Sequence, residues 1–263
     1  MLHIFTFATD LSKARYLKQT EEFHNIHINY IGASKWTGYL DKITYMKTAI
    51  ATLPPDDIVC FVDAYDVLVN EDESEIIRRF KSYDCDLLFG VELNCYPDTY
   101  KSDLDSVNTI EGNLYKYINT GGYIGYTRAV KDMFEWKNDA ELKAICDRGT
   151  DQAYGIEYFL SNVNTKQLKL DIECKLFQNM HLVSWNELEF RNGHVYNIVM
   201  EVSPCFIHFN GGTFQTNTRE NIMPVFIQKK AETKLTTKRE SLDNYKQIIT
   251  KTCYPHPQRL PTK

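Results

Sequence analysis

The stretch Ile58-Val59-Cys60-Phe61-Val62-Asp63-Ala64-Tyr65-Asp66 is apolar up to Val62 and then meets two carboxylates. A run this rich in β-branched and aromatic residues predicts a strand buried on both faces of a parallel sheet. Ligands of such sheets gather just beyond the carboxyl ends of the strands. Asp63 and Asp66 stand three residues apart, so a turn at the strand's end lets both side chains point at one spot in that crevice. Two anionic oxygen donors there suit a hard divalent cation, Mn2+ or Mg2+. The competing use is structural: Asp66 caps a turn and Asp63 is solvated, since Asp is a frequent turn residue.

Residues on either side repeat a strand-and-helix alternation. Leu2 to Ala8, the polar Thr9-Asp10-Leu11-Ser12 and Ala14 to Phe23 predict strand, turn and helix, with Asp10 or Ser12 as the cap. Ile26 to Ile31 is a second strand, followed by a loop whose Trp36 either stacks on a nucleotide base or folds onto the core. Asp41 to Leu53 has helical spacing and ends at Pro54-Pro55. Glu75 to Phe80 predicts an amphipathic helix, and Leu87 to Val91 a strand running into Glu92. This alternation argues for an α/β fold with a mostly parallel sheet in three layers.

Residues 98 to 116 are polar and without period, which predicts a long functional loop. Gly121-Gly122 beside a strand permits a bulge or a close backbone approach to a ligand. A helix over Ala129 to Trp136 and another opened by Thr150-Asp151-Gln152, with Asp151 as cap, follow. Later strands are expected at Leu168 to Ile172, at Phe177, over Val195 to Val202 and over Cys205 to Phe209. The last runs through His208-Phe209-Asn210-Gly211-Gly212, where His208 is either a metal ligand or a satisfied core imidazole.

The 263 residues fit one large domain, with a polar, Pro-containing tail over 229–263. A net charge of −5 gives no basic surface, so nucleic acid is not the expected partner. Seven cysteines, an odd number without CxxC spacing, predict reduced thiols rather than a zinc ribbon or a disulfide framework. The first residues lack the basic start of a signal peptide, and no apolar run is long enough to span a membrane. A cytoplasmic or otherwise intracellular location is therefore expected.

Several segments, taken in order, carry a resemblance. They are Trp36-Thr37-Gly38, Phe61-Val62-Asp63-Ala64-Tyr65-Asp66-Val67, Glu92 with Cys95-Tyr96-Pro97, Asn119-Thr120-Gly121-Gly122-Tyr123-Ile124-Gly125, Asp151-Gln152, Phe177-Gln178-Asn179 and His208-Phe209-Asn210-Gly211. Over residues 1–227 the chain resembles the glycosyltransferase domain of the procollagen lysyl hydroxylase (PLOD) family. The resemblance implies a single GT-A domain over 1–228, with a Rossmann-like sheet flanked by helices. It implies Mn2+ held by Asp63, Asp66 and His208, a DxxD form of the commoner DxD motif. Trp36 and Tyr65 would flank the uridine, Thr9 would line the nucleotide pocket, and Asn210 with Gly211 would approach the diphosphate. Glu92, Asn119 and Asp151 would lie near the sugar and acceptor as catalytic candidates, Asp151 first and Glu92 second for the carboxylate at the reacting centre. Tyr96 would line the acceptor side.

The implied reaction moves a hexose from a UDP-sugar, UDP-glucose first, to galactosyl-hydroxylysine of collagen-like chains, with retention at the anomeric carbon. UDP-galactose transfer to hydroxylysine, and a non-catalytic UDP-sugar or glycan-binding module, are the alternatives. A homodimer is the expected assembly. Two departures stand out. Gly149-Thr150-Asp151 replaces a run of several Asp before Gln152, which leaves Asp151 alone, and Phe214 stands where relatives carry a Lys near the diphosphate. No jelly-roll oxygenase follows within these residues, so the resemblance implies glycosyl transfer alone.

Overall fold

A computed structural model describes residues 1–32, 35–107, 113–211 and 223–233. Its first half holds β1 (Leu2–Phe7), α1 (Arg15–His24), β2 (Ile28–Ile31), α2 (Leu40–Ile50), β3 (Ile58–Val62), β4 (Val67–Val69), α3 (Glu73–Ser82), β5 (Leu87–Glu92) and α4 (Lys101–Val107). Its second half holds β6 (Tyr117–Tyr126), α5 (Thr127–Glu135), α6 (Asp139–Asn162), β7 (Leu168–Leu170), β8 (Phe177–Asn179), β9 (Leu188–Arg191), β10 (His194–Asn197) and β11 (Phe206–His208). A last helix covers 223–233.

Six strands form the central sheet in the order β2-β1-β3-β6-β5-β7. The pairs β1–β2, β1–β3 and β5–β7 are parallel, and β6 alone runs against both its neighbours. Every residue of β3 is buried because the strand is central and covered on both faces. Val59 and Phe61 point to one side, where Met46 and Ile50 of α2, Phe134 of α5 and Tyr154 of α6 pack. Ile58, Cys60 and Val62 point to the other, against Leu17 of α1, Ile76 and Phe80 of α3 and Phe206 of β11. That two-residue alternation, filled from both sides, is what makes the strand read as continuously apolar.

A second sheet, β4-β11-β8, stands at the end of β3. It is reached because β3 stops at Val62, the chain bends through 63–66, and β4 departs antiparallel to β11. The register between β5 and β6 jumps between Phe89 and Gly90, from Tyr123 to Asn119, so residues 120–122 form a bulge that faces the strand ends.

Three expectations are corrected. The segment 98–116 is not a structureless loop, since a 3-10 turn and α4 occupy Asp98–Val107; α4 was illegible because Leu104 is its one buried residue. Neither Asp10 nor Ser12 caps α1, whose N-cap is Ala14; Asp10 instead accepts the Ser12 N–H and hydroxyl. Asp151 does not cap the helix it opens: α6 kinks at Gly149-Thr150, and the Gln152 N–H goes to the Thr150 hydroxyl. The helix at 223–233 runs across the expected domain boundary at 228, and Phe214 and Cys253 lie outside the described residues. The six described cysteines are all buried and free.

Candidate active site

The bend after β3 and the pairing of β4 with β11 bring three distant side chains together. The Asp63 N–H donates to Gly121 O at 2.9 Å, and the Phe209 N–H to Asp66 O at 2.8 Å, which fixes both acids against the strand ends. One ligand atom from each of Asp63, Asp66 and His208 lies within 4.8 Å of the others. His208 Nε2 is 3.5 Å from Asp66 Oδ1 and 3.7 Å from Asp63 Oδ2. On the other side of the ring, His208 Nδ1 meets Asn179 Oδ1 at 2.7 Å. The Asn179 amide donates its N–H to Val91 O at 2.9 Å, so its oxygen must be the atom facing the imidazole. His208 Nδ1 therefore carries the proton, and the Nε2 lone pair faces the acids, as a metal-binding imidazole needs.

Gly121 makes room for this cluster. A Cβ there would sit 2.3 Å from His208 Cε1 and 2.8 Å from Asp63 Oδ2, so only a residue without a side chain fits. Two carboxylates and one imidazole form a donor set suited to a divalent cation of the Mn2+ kind. With the tautomer already set, the residues present fit that ion.

The cluster opens into a cavity of about 420 Å3. Lys42, from α2, enters from the side: its Nζ donates to Asp63 Oδ1 at 2.6 Å and lies 3.6 Å from Asp151 Oδ2. Burial works against the ammonium, but Asp151 and Asp63 outweigh it and hold Lys42 well above the ordinary lysine range. Burial also raises the Asp151 carboxyl, Lys42 opposes this, and Asp63 adds to it. Asp63 is held below its ordinary value by the Lys42 ammonium, against its own burial. Asp151 is further fixed by the Thr120 hydroxyl at 3.2 Å. The kink places it there at a cost, because Thr150 is held at φ 72, ψ 177, a region that side chains other than glycine's rarely occupy.

Glu92, at the end of β5, is the hub of an amide network. One oxygen accepts Asn119 Nδ2 at 2.8 Å and Gln152 Nε2 at 3.4 Å; the other accepts Asn210 Nδ2 at 2.9 Å. Burial raises its carboxyl, and Asn119 pulls it back. Asn119 Oδ1 in turn takes the Gly121 N–H at 2.9 Å, and Asn210 Oδ1 takes the Met180 and His181 N–H groups at 3.0 Å each. Glu92 and Asn119 thus hold the cavity wall rather than stand free in it. Tyr96 and Gly211 also line the cavity, Tyr96 with its ring exposed.

Thr9, Tyr65 and Trp36 sit apart from this cavity. The Tyr65 hydroxyl accepts the Thr9 N–H at 2.8 Å and the Asp10 N–H at 3.0 Å, beside the carboxyl end of β1. Trp36 stands edge-on to Phe7, with centroids 5.6 Å apart, and keeps 41% of its surface exposed. One edge of the ring thus lies on the core and the remainder faces solvent.

Comparison with known proteins agrees with this geometry. A family model described as the PLOD GT domain matches residues 1–247. The chain belongs to the PLOD glycosyltransferase-domain family. Procollagen-lysine,2-oxoglutarate 5-dioxygenase of Drosophila melanogaster is 29% identical over 229 residues, covering 80% of this chain and 30% of that protein. The multifunctional procollagen lysine hydroxylase and glycosyltransferase of Caenorhabditis elegans is 30% identical over 164 residues, covering 59% of this chain and 21% of that protein. This PLOD-family chain therefore spans less than a third of the length of these relatives. Among solved structures, a glycosyltransferase involved in the glycosylation of the major capsid of PBCV-1 superposes with a TM-score of 0.50 at 14% identity, over 85% of this chain and 98% of that one. The fold is that of the GT-A glycosyltransferases.

Within this PLOD-type site, sequence reasoning missed Lys42, Asn179 and His181. Nothing local singled out Lys42, because its carboxylate partners lie far away in the chain. Asn179 was quoted as part of a motif without a role, and nothing local marked His181. No helix among the described residues is long and apolar enough to cross a membrane.

Proposed function

We propose that this chain is a Mn2+-dependent hexosyltransferase that moves glucose from UDP-glucose to the galactosyl group of galactosyl-hydroxylysine in collagen-like chains. One observation carries the proposal: Asp63, Asp66 and His208 converge within 4.8 Å at the mouth of a polar cavity that also holds Asp151 and Lys42, in a PLOD-family chain. Asp63, Asp66 and the Nε2 of His208 would hold the ion. When bound, a dication offsets the charge that develops on the diphosphate as the glycosidic bond breaks.

The remaining roles are proposed from the family resemblance, with the positions of the side chains as support. Trp36 and Tyr65 flank the uridine, with Thr9 beneath, on the β1 side of the acids. Asn210 and Gly211 approach the diphosphate. Asp151 is the carboxylate beside the anomeric carbon, and Lys42 keeps it from repelling Asp63. Glu92 and Asn119 act as positioning residues through the amide network, and Tyr96 offers its exposed ring to the acceptor. With one carboxylate on the reacting face and an ion on the diphosphate, retention proceeds by front-face transfer or through a transient adduct on Asp151.

The test is UDP release from UDP-glucose with a galactosyl-hydroxylysine peptide, run beside UDP-galactose with a hydroxylysine peptide. Activity should require Mn2+, vanish with chelator, and fall by about 100-fold or more in Asp66→Ala while the fold remains intact. Wild-type activity in that variant would end the proposal. UDP binding without turnover on either acceptor would favour a binding module instead.

A further inference from the structure

No step of the proposed reaction uses Tyr39, yet it lines the cavity that holds the acid and imidazole cluster. It stands at the N-cap of α2, and 44% of its surface stays exposed. A ring left open beside buried carboxylates has an apolar face to offer a ligand.

The ring is held where it stands. The Thr37 N–H and hydroxyl donate to the Asp41 carboxylate at 2.7 and 2.6 Å, and the Asp41 N–H donates to Gly38 O at 3.0 Å, which clasps the turn around Tyr39. Gly38 sits in that turn at φ 150, a conformation in which glycine alone is at ease. Tyr39 also stands edge-on to Trp36, with centroids 5.4 Å apart and planes at 86°, and Trp36 stands edge-on in turn to Phe7. A ring fixed before its ligand arrives loses little freedom on binding.

The strand order says which substrate it faces. Across the sheet come β2, β1 and β3, then β6, then β5. The loop with Trp36 and Tyr39 follows β2 and Thr9 follows β1, on the side where the proposed function puts the uridine; Tyr96 follows β5, on the acceptor side. Tyr39 thus comes to the cavity from the donor's end. The part of the donor is then set by what else lines that cavity. Trp36, Tyr65 and Thr9 do not line it, whereas Lys42 and Asp151 do. Lys42 lies three residues beyond Tyr39, on the same face of α2, with its ammonium 3.6 Å from Asp151 Oδ2. The free surface of Tyr39 therefore belongs with the carboxylate assigned to the anomeric carbon rather than with the nucleoside.

We propose that Tyr39 packs its ring against the hexose of the sugar nucleotide and is a specificity-determining residue for the donor. A hexose presents patches of C–H bonds, whose positive edge suits the negative face of an aromatic ring. The inference rests on the glycosyl-transfer reading above and deepens it by giving the donor's sugar a contact.

The experiment measures, by calorimetry with Mn2+ and without acceptor, the binding of UDP-glucose and of UDP to wild type, Tyr39→Leu and Tyr39→Phe. Leucine keeps apolar bulk against Trp36 and removes the ring. It should weaken UDP-glucose about fivefold, the worth of one aromatic contact, and leave UDP, which has no hexose, within about twofold of wild type. Tyr39→Phe should bind both as wild type does, because the ring and not the hydroxyl makes the contact. In the transfer assay the KM for a galactosyl-hydroxylysine peptide should be unchanged in both variants. An unaltered UDP-glucose affinity in Tyr39→Leu overturns the inference. So does an equal fall for UDP, which puts the ring on the nucleoside, a loss confined to the acceptor KM, or a Tyr39→Phe variant as weak as Tyr39→Leu. A wild-type protein that binds neither ligand sinks the reading of the site and this inference with it, whereas binding that is the same in wild type and Tyr39→Leu sinks the inference alone.

Discussion

Asn179 shows how much one side chain decides at this site. It is fully buried, it carries no charge and it touches no substrate, yet it selects the His208 tautomer, because Val91 O claims its amide and leaves only its oxygen for the imidazole. Asn179→Leu would strand the Nδ1 proton in a buried place and let the ring take the other tautomer. Losing such an outer partner typically weakens metal affinity by about 10–100-fold, which calorimetry of Mn2+ binding in the absence of donor would measure. An affinity equal to wild type would show that the ring is oriented by something else. The sequence offered the acids through their spacing and the strand before them, and His208 through the strand end that carries it. Asn179 gave no comparable signal, since its role exists only once β8 and β11 lie in register.

At the scale of elements, that register depends on the turn before β8. Asp171 accepts the N–H groups of Lys175 at 3.0 Å, Leu176 at 2.8 Å and Phe177 at 2.6 Å, and also the Tyr83 hydroxyl. Each carboxylate oxygen takes two donors, so an amide at this position strands at least one backbone N–H whichever way it flips, since only the Tyr83 hydroxyl can turn and accept. Asp171→Asn should therefore destabilise the fold by about 2–4 kcal/mol, the cost of a stranded buried donor together with the loss of hydrogen bonds to a charged group. In a domain of this size that lowers Tm by roughly 5–15 °C. A melting temperature within 2 °C of wild type, on the same scale, would contradict this account. Elements were legible where burial imposed a period: β1, β3 and β5 as apolar runs, and α2 and α3 as amphipathic stretches ending at breakers. β4, with three residues, is too short to show one. The first half of α6 was hidden because few of its residues are buried before the kink at Gly149-Thr150. At β6 the pair Gly121-Gly122 left a bulge and a close approach to a ligand both open, and the structure places a bulge there, inside a central strand.

For the molecule as a whole, the layered α/β fold could be read from the alternation of strands and helices, but the closure of its carboxyl-terminal end could not. The helix at 223–233 carries Lys230, which lies in the stretch expected to be a polar tail. Its side chain is 9% exposed, and its ammonium donates to Gly193 O at 2.8 Å, in the turn between β9 and β10. Burial pulls its pKa down to about 8, and the attraction of Glu71 restores only part of the loss. In the unfolded chain the same lysine titrates near 10.5. Between those values the native state binds fewer protons than the unfolded state, so stability rises with pH. The contribution is fully present above the unfolded value and is lost as pH falls through about 8. At neutral pH the buried charge is then a burden of roughly 3 kcal/mol, from which the bond to Gly193 recovers about 1. Lys230→Met, which keeps the length and drops the charge, should stabilise the protein by roughly 1–3 kcal/mol at pH 7. That advantage should shrink steadily above pH 8 and disappear near pH 10.5. Denaturant unfolding of both proteins across that range reads the difference directly and cancels every other group that titrates there. A gap that stays constant with pH would mean that Lys230 keeps its ordinary affinity for protons and that the helix is not docked as described.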